Sequence, residues 1–93
     1  MSDESWQVSA EAAEIYESRF VPAIFAEWAP RIADAADVNA GANVLDVACG
    51  TGVVARECAR RGAVVTGLDL NPGMLSVARR ISPSVTWRQG DAA

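Results

Sequence analysis

The 93 residues make one small domain and leave no room for a second. Apolar residues form 51% of the chain and charged residues 22%, the balance of a globular protein with a packed core rather than a disordered or fibrous one. A net charge of -4, without a single Lys, argues against a nucleic-acid surface, which needs clustered cations facing phosphates.

In chain order, the first predicted elements are helices. Residues Ala10 to Phe20 read as one; after Pro22 a second runs through Ile24, Trp28 and Ile32 at four-residue spacing, with Pro30 expected to kink or split it. Tyr16, Phe20, Phe25 and Trp28 fall at helical spacing and read as core, with contact to a ligand by Tyr16 or Phe20 as the alternative. Residues 1–42 thus form a helical segment ahead of a second unit, 43–93. The period then changes: Val44, Leu45 and Val47 make a short strand that runs into a glycine-bearing turn, and Val53 to Arg61 is a helix closed by Gly62. Ala63 to Leu68 is a second strand. Asn71 and Pro72 open a helix through Met74, Leu75, Val77 and Ala78 that Ser82 and Pro83 stop, and Val85, Thr86 and Trp87 form a third strand. The pairs Arg60-Arg61 and Arg79-Arg80 stand where two helices end, which the helix dipole explains without a binding patch.

Strands that alternate with helices and lack polar alternation predict an α/β fold with a parallel sheet, covered on both faces and wound right-handed, its strands in the order 3-2-1. That is half of a Rossmann-like doubly wound sheet, in which ligands sit at the carboxyl end of the first strand. There the chain carries Val44-Leu45-Asp46-Val47-Ala48-Cys49-Gly50-Thr51-Gly52. Gly50 and Gly52 let the backbone bend sharply and let a ligand come close, while the following helix presents unpaired N–H groups. A tight turn without a ligand would also select such a pair. Asp69 ends the second strand, where an acid can accept from both hydroxyls of a ribose, or serve as a turn residue. Asp91 follows the third strand. Three acids, Asp46, Asp69 and Asp91, therefore converge on one edge of the sheet.

With this spacing the sequence resembles the class I S-adenosylmethionine-dependent methyltransferases, and in particular the small-molecule group that includes the ubiquinone and menaquinone C-methyltransferases. The resemblance runs from Val44 to Ala92, spans three cofactor motifs, and includes the run Asn71-Pro72-Gly73-Met74-Leu75. It implies S-adenosylmethionine as cofactor, with Asp46, Ala48, Gly50 and Gly52 along its methionine part, Asp69 on the ribose, Leu70 and Met74 against the adenine faces, and Asp91 with Ala92 at the adenine edge. Ala48 departs from the family pattern, which has glycine there. The resemblance further implies a small-molecule methyl acceptor and a chain that ends before the substrate-binding half, so no catalytic residue is named.

A dinucleotide is the competing ligand, because Gly50-Thr51-Gly52-Val53-Val54-Ala55 fits the loose G-x-G-x-x-A pattern. Asp46 speaks against it, since a carboxylate repels a pyrophosphate and attracts an ammonium or sulfonium. A cofactor-sensing module without chemistry, and a remnant that binds nothing, remain the alternatives to an enzyme. Neither a membrane partner nor a nucleic-acid partner is expected. Asp3 and Glu4 stand where a signal peptide would be basic, and no apolar run spans a bilayer. Cys49 and Cys58, without His or a CxxC pair, imply neither a disulfide framework nor a zinc site, and a cytoplasmic setting follows. An open side of the first strand, Asn43 to Val47, leads us to expect a homo-oligomer, through edge pairing or exchange of the N-terminal helices.

Overall fold

A computed structural model describes residues 9–91; Asp3, Glu4 and Ala92 lie outside the described residues. Helix α1 (Ala10–Ile15) starts at Ser9, whose hydroxyl accepts the Ala12 N–H at 3.0 Å, a side-chain cap on one of the amides that a helix start leaves unpaired. The chain continues as a π-helix over Tyr16–Phe25, in which the Ala26 N–H reaches back five residues to the Val21 carbonyl at 2.7 Å.

Two expectations are corrected here. Pro22 lies inside the π-helix instead of opening a new helix. Pro30 neither kinks nor splits α2 (Trp28–Ala35): it falls in the first turn, where a missing N–H breaks no helical bond, and the break in the chain is the turn at residues 26–27. The aromatic residues are also placed differently. Phe20, Phe25 and Trp28 are exposed, and Trp28 carries the Arg31 guanidinium 5.0 Å above its ring instead of core atoms. Tyr16 is half-buried and turns toward the glycine loop.

Strand β1 (Asn43–Val47) leads to α3 (Val53–Arg60), β2 (Val64–Asp69), α4 (Pro72–Ile81) and β3 (Thr86–Gln89). The strands are parallel in the order β1-β2-β3, which is the expected 3-2-1 order viewed from the other edge. Register runs from Asn43 opposite Val64 to Val47 opposite Leu68, and from Thr66 opposite Thr86 to Asp69 opposite Gln89. Gly62, with φ at +87°, ends α3 in a Schellman turn: its N–H bonds the Ala59 carbonyl at 3.0 Å and the Ala63 N–H bonds that of Cys58 at 3.2 Å.

Coverage of both sheet faces is not what the described residues show. Burial alternates along β1 and β2, with Val65, Gly67 and Asp69 buried on one face and Leu45 and Val64, 60% and 63% exposed, on the other. The reason is topological: β1, β2 and β3 are laid down in one direction, and right-handed crossovers then put α3 and α4 on the same side. Beneath those helices the core joins Ala33, Cys49, Ala55, Cys58, Leu75, Ala78 and Trp87. The Trp87 indole N–H donates to the Ser82 carbonyl at 2.8 Å, so this large ring is buried without an orphaned donor. No helix among the described residues is long and apolar enough to cross a membrane.

Candidate functional site

The carboxyl ends of the three strands meet in a cleft of about 240 Å³, lined by Val47, Ala48, Leu68, Asp69, Leu70, Asn71, Gly90 and Asp91. Strand pairing builds its walls: beyond the last register pair the Gly90 N–H still bonds the Asp69 carbonyl at 3.0 Å, and the Gln89 side-chain amide donates to the Leu70 carbonyl at 3.3 Å. Gly90 and Asp91 are thereby held alongside Asp69 and Leu70. Of the residues singled out in the sequence, Ala48, Asp69, Leu70 and Asp91 line this cleft.

Asp69 is its hub. The side chain is buried, and its Oδ2 accepts the Gly50 N–H at 2.8 Å while Oδ1 accepts the Asn71 N–H at 2.8 Å and the Asn71 side-chain amide at 3.3 Å. The acid that ends β2 thus fixes the glycine loop after β1 and the first turn of α4 together. Charge-assisted bonds to backbone amides are among the stronger hydrogen bonds available. Asn71 holds the N-cap position, and the first helical bond runs from the Leu75 N–H to its carbonyl at 3.2 Å.

Asp46 sits beneath the loop on the helix-covered face, and it also borders a smaller cavity of about 170 Å³ with Ile32, Ala33, Val38, Val54 and Cys58. Its carboxyl is pushed above the ordinary range by burial; the Ala55 amide in the first turn of α3 opposes that push and the nearby Asp69 adds to it. Asp46 Oδ2 and Thr51 Oγ1 are buried without a hydrogen-bond partner. A carboxylate with an unsatisfied oxygen under a glycine loop is a place where a cationic group is stabilised.

The two motif glycines differ in what they do. At Gly50, φ is +60° and a β-carbon would meet only the Tyr16 ring, at 3.7 Å. At Gly52, φ is +94° and a β-carbon would fall 2.9 Å from Trp87 Cζ3 and closer still to Cη2. Gly52 is therefore demanded by packing as well as by the turn, and the structure gives it no place on the cleft wall. Gly67, on β2, meets the same indole and was not singled out in the sequence; its signal was an isolated glycine within an apolar strand. Met74 is half-buried in the first turn of α4 and does not line the cleft. Ala48 adopts φ of +55°, a left-handed backbone that glycine occupies without the steric cost an alanine carries. Cys49 is buried, and desolvation together with Asp46 and Asp69 pushes its thiol up to about 12, so it is no nucleophile at neutral pH.

Arg56 was not singled out in the sequence; Tyr16 was, with core as the favoured role and ligand contact as the alternative. Tyr16 comes from the N-terminal segment to lie over Gly50, and burial, with Glu17, Asp69 and Asp46 around it, raises its phenol above the ordinary value. Arg56 donates to the Thr51 carbonyl in the loop at 2.6 Å and to both carboxylate oxygens of Glu17 at 3.0 Å.

Comparison with known proteins agrees with this architecture. Residues 44–93 match the family described as methyltransferase domain. A demethylmenaquinone methyltransferase of Tropheryma whipplei (strain Twist) is 44% identical over 66 residues, covering 68% of this chain and 28% of that protein. Among solved structures, a TehB-like SAM-dependent methyltransferase from Corynebacterium glutamicum superimposes with a TM-score of 0.68 at 30% identity, over 85% of this chain and 45% of that one. A SAM-dependent methyltransferase from Thiobacillus denitrificans in complex with S-adenosyl-L-homocysteine gives a TM-score of 0.62 at 34% identity, over 72% of this chain and 30% of that one. The chain thus spans between about a quarter and a half of the length of these relatives. With more than half its residues matched to one family, and the strand-end cleft of that fold built from the matched segment, the chain belongs to the methyltransferase domain family, with the class I S-adenosylmethionine-dependent fold.

Proposed function

We propose that this chain binds S-adenosylmethionine at the strand-end cleft and serves a methyltransferase that acts on a small molecule. The observation that carries this is the set of three acids at successive strand ends around one glycine loop: Asp46 with an unsatisfied buried oxygen, Asp69 bonded to the loop amide, and Asp91 on the third wall. The donor set suits a ligand with cationic and hydroxyl-bearing parts. When bound, S-adenosylmethionine supplies an electrophilic methyl group on a positively charged sulfur. This chain's share of the work is to hold and orient: Asp46 and the Ala48–Gly50 turn face the methionine part, Asp69 the ribose, and Leu70 and Asp91 the adenine. In-line methyl transfer gains its rate largely from such alignment. The relative's name points to a quinone-type acceptor, and we extend that acceptor class to this chain. Two unpaired buried thiols fit a reducing, cytoplasmic setting.

The dinucleotide reading fares worse on physical grounds. A pyrophosphate would bring two phosphates to the loop above the buried Oδ2 of Asp46, and a carboxylate there repels them while it attracts an ammonium or a sulfonium. Calorimetric titration with S-adenosylhomocysteine tests the proposal. Binding is expected, and Asp69→Ala is expected to weaken it by about 1 to 3 kcal/mol. Equal affinity of the variant would refute the ribose assignment, and binding of NAD in place of S-adenosylhomocysteine would overturn the reading.

A further inference from the structure

We propose that Arg56 is a positioning residue that ties the N-terminal helical segment to the glycine loop, and that this tie is what holds Tyr16 over Gly50. The inference rests on the reading of the loop as the cofactor site and adds a control on it from outside the matched segment.

Arg56 projects from α3 in two directions. One terminal nitrogen reaches back to the Thr51 carbonyl at 2.6 Å, and the other forks onto Glu17, 3.0 Å from each carboxylate oxygen. Both partners of this ion pair are mostly buried, their side chains 12% and 19% exposed. Thr51 itself is fully buried and its hydroxyl has no partner, so the carbonyl contact to Arg56 anchors the loop at this residue. Glu17 adjoins Tyr16, whose ring leans on Phe25, with centroids 5.5 Å apart, and stands 3.7 Å from the β-carbon position of Gly50. One planar guanidinium therefore sets two things at once, the place of the loop backbone and the place of the aromatic ring above it. A lysine, with one charged nitrogen, lacks the fork this requires. The exposed pair Arg80–Glu14 makes a useful contrast: it links α1 to α4 at 2.6 Å with side chains 59% and 50% exposed, but touches neither the loop nor Tyr16.

Tyr16 is the sole tyrosine of the chain, so its ionisation is readable by phenolate absorbance. The sign of the response is diagnostic. Removing the Arg56 cation while the ring stays in place would raise the Tyr16 midpoint, because Glu17, Asp46 and Asp69 remain nearby; release of the ring into water lowers it. Arg56→Gln is therefore expected to lower the midpoint toward the ordinary phenol value and to weaken S-adenosylhomocysteine about tenfold. Arg80→Gln is expected to leave both readouts unchanged. Arg56→Lys keeps the charge and loses the fork, so any fall in its midpoint reports release alone; it carries the test if Arg56→Gln does not fold by circular dichroism. A midpoint at or above that of the wild type in a folded Arg56 variant, or unchanged affinity, overturns the proposal. Failure of the wild-type chain to bind S-adenosylhomocysteine would instead remove the functional reading, and the tyrosine titration would still decide whether the tie exists.

Discussion

The region below the glycine loop and the region at the strand tips are built by different means. Below, Gly52 and Gly67 exist because the Trp87 indole occupies the volume a β-carbon would need. At the tips, Gly50, Asp69 and Asn71 are joined by hydrogen bonds around an open cleft, and Ala48 is held in a left-handed backbone. Packing forbids change in the first region. In the second the same backbone positions are held by polar contacts that a ligand can share or replace. A glycine-rich motif therefore mixes two demands, and only the geometry separates them.

The largest expected effect breaks the lower region. Gly67→Ala places a methyl group inside the indole at ordinary backbone angles; overpacking costs about 1 to 3 kcal/mol, and an overlap with two ring carbons stands at the top of that range. That is a large part of a stability on the order of 5 to 14 kcal/mol for a chain of this length. Gly50→Ala meets nothing closer than 3.7 Å and carries only the left-handed penalty, roughly 1 to 2 kcal/mol. Urea unfolding of both variants measures the gap. Trp87→Leu in the Gly67→Ala background is expected to recover part of the loss, giving a strongly non-additive pair. Additive effects would mean that the indole is not what keeps Gly67 a glycine.

A smaller effect concerns the acid beneath the loop. The Asp46 carboxyl is raised by burial, so between the ordinary carboxyl value and the raised one the folded chain binds more protons than the unfolded chain. Stability then falls as pH rises through that window, and above it Asp46 works against folding. Asp46→Asn is expected to stabilise the unliganded chain by a few tenths to about 1 kcal/mol at neutral pH, with the gain vanishing on the acid side of the window. The same variant is expected to lose affinity for S-adenosylhomocysteine. Thermal melts across the acid range check the sign: a gain that does not change with pH would show that desolvation of the charge is not its source.

How much of this was legible beforehand follows from the range of the interactions. The alternation of strands and helices, the strand order and the placing of Asp69 and Asp91 at one edge come from local patterns plus the right-handed crossover rule, whereas Leu70 came from the family resemblance alone. The same rule, followed through, puts α3 and α4 on one face; the expectation of two covered faces came instead from the apolar strands. The Gly67–Trp87 pairing needs the register between β2 and β3, which composition does not encode. The Arg56–Glu17 tie joins residues 39 positions apart, and the π-helix that carries Glu17 has no sequence period that distinguishes it from an α-helix. The aromatic residues of that segment were misplaced for the same reason: helical spacing shows that side chains share a face, and not what that face meets.

The smallest expected effect sharpens the comparison at its strained point. Ala48 has φ of +55°, where an alanine is costly and a glycine is not, by roughly 1 to 2 kcal/mol. Glycine also loosens the unfolded chain, which offsets about 0.4 to 1 kcal/mol of that gain. Ala48 is exposed at the mouth of the cleft, so removing its methyl group opens no core cavity. The net expectation for Ala48→Gly is a stabilisation of a few tenths to about 1 kcal/mol by urea unfolding. Affinity for S-adenosylhomocysteine is expected to stay within about threefold, because the hydrogen bonds that set the loop run through Gly50, Thr51 and Asp69. A destabilised Ala48→Gly chain would show that the left-handed residue is rigidly favoured by its neighbours, and that the strand tips are held by packing just as the region below them is.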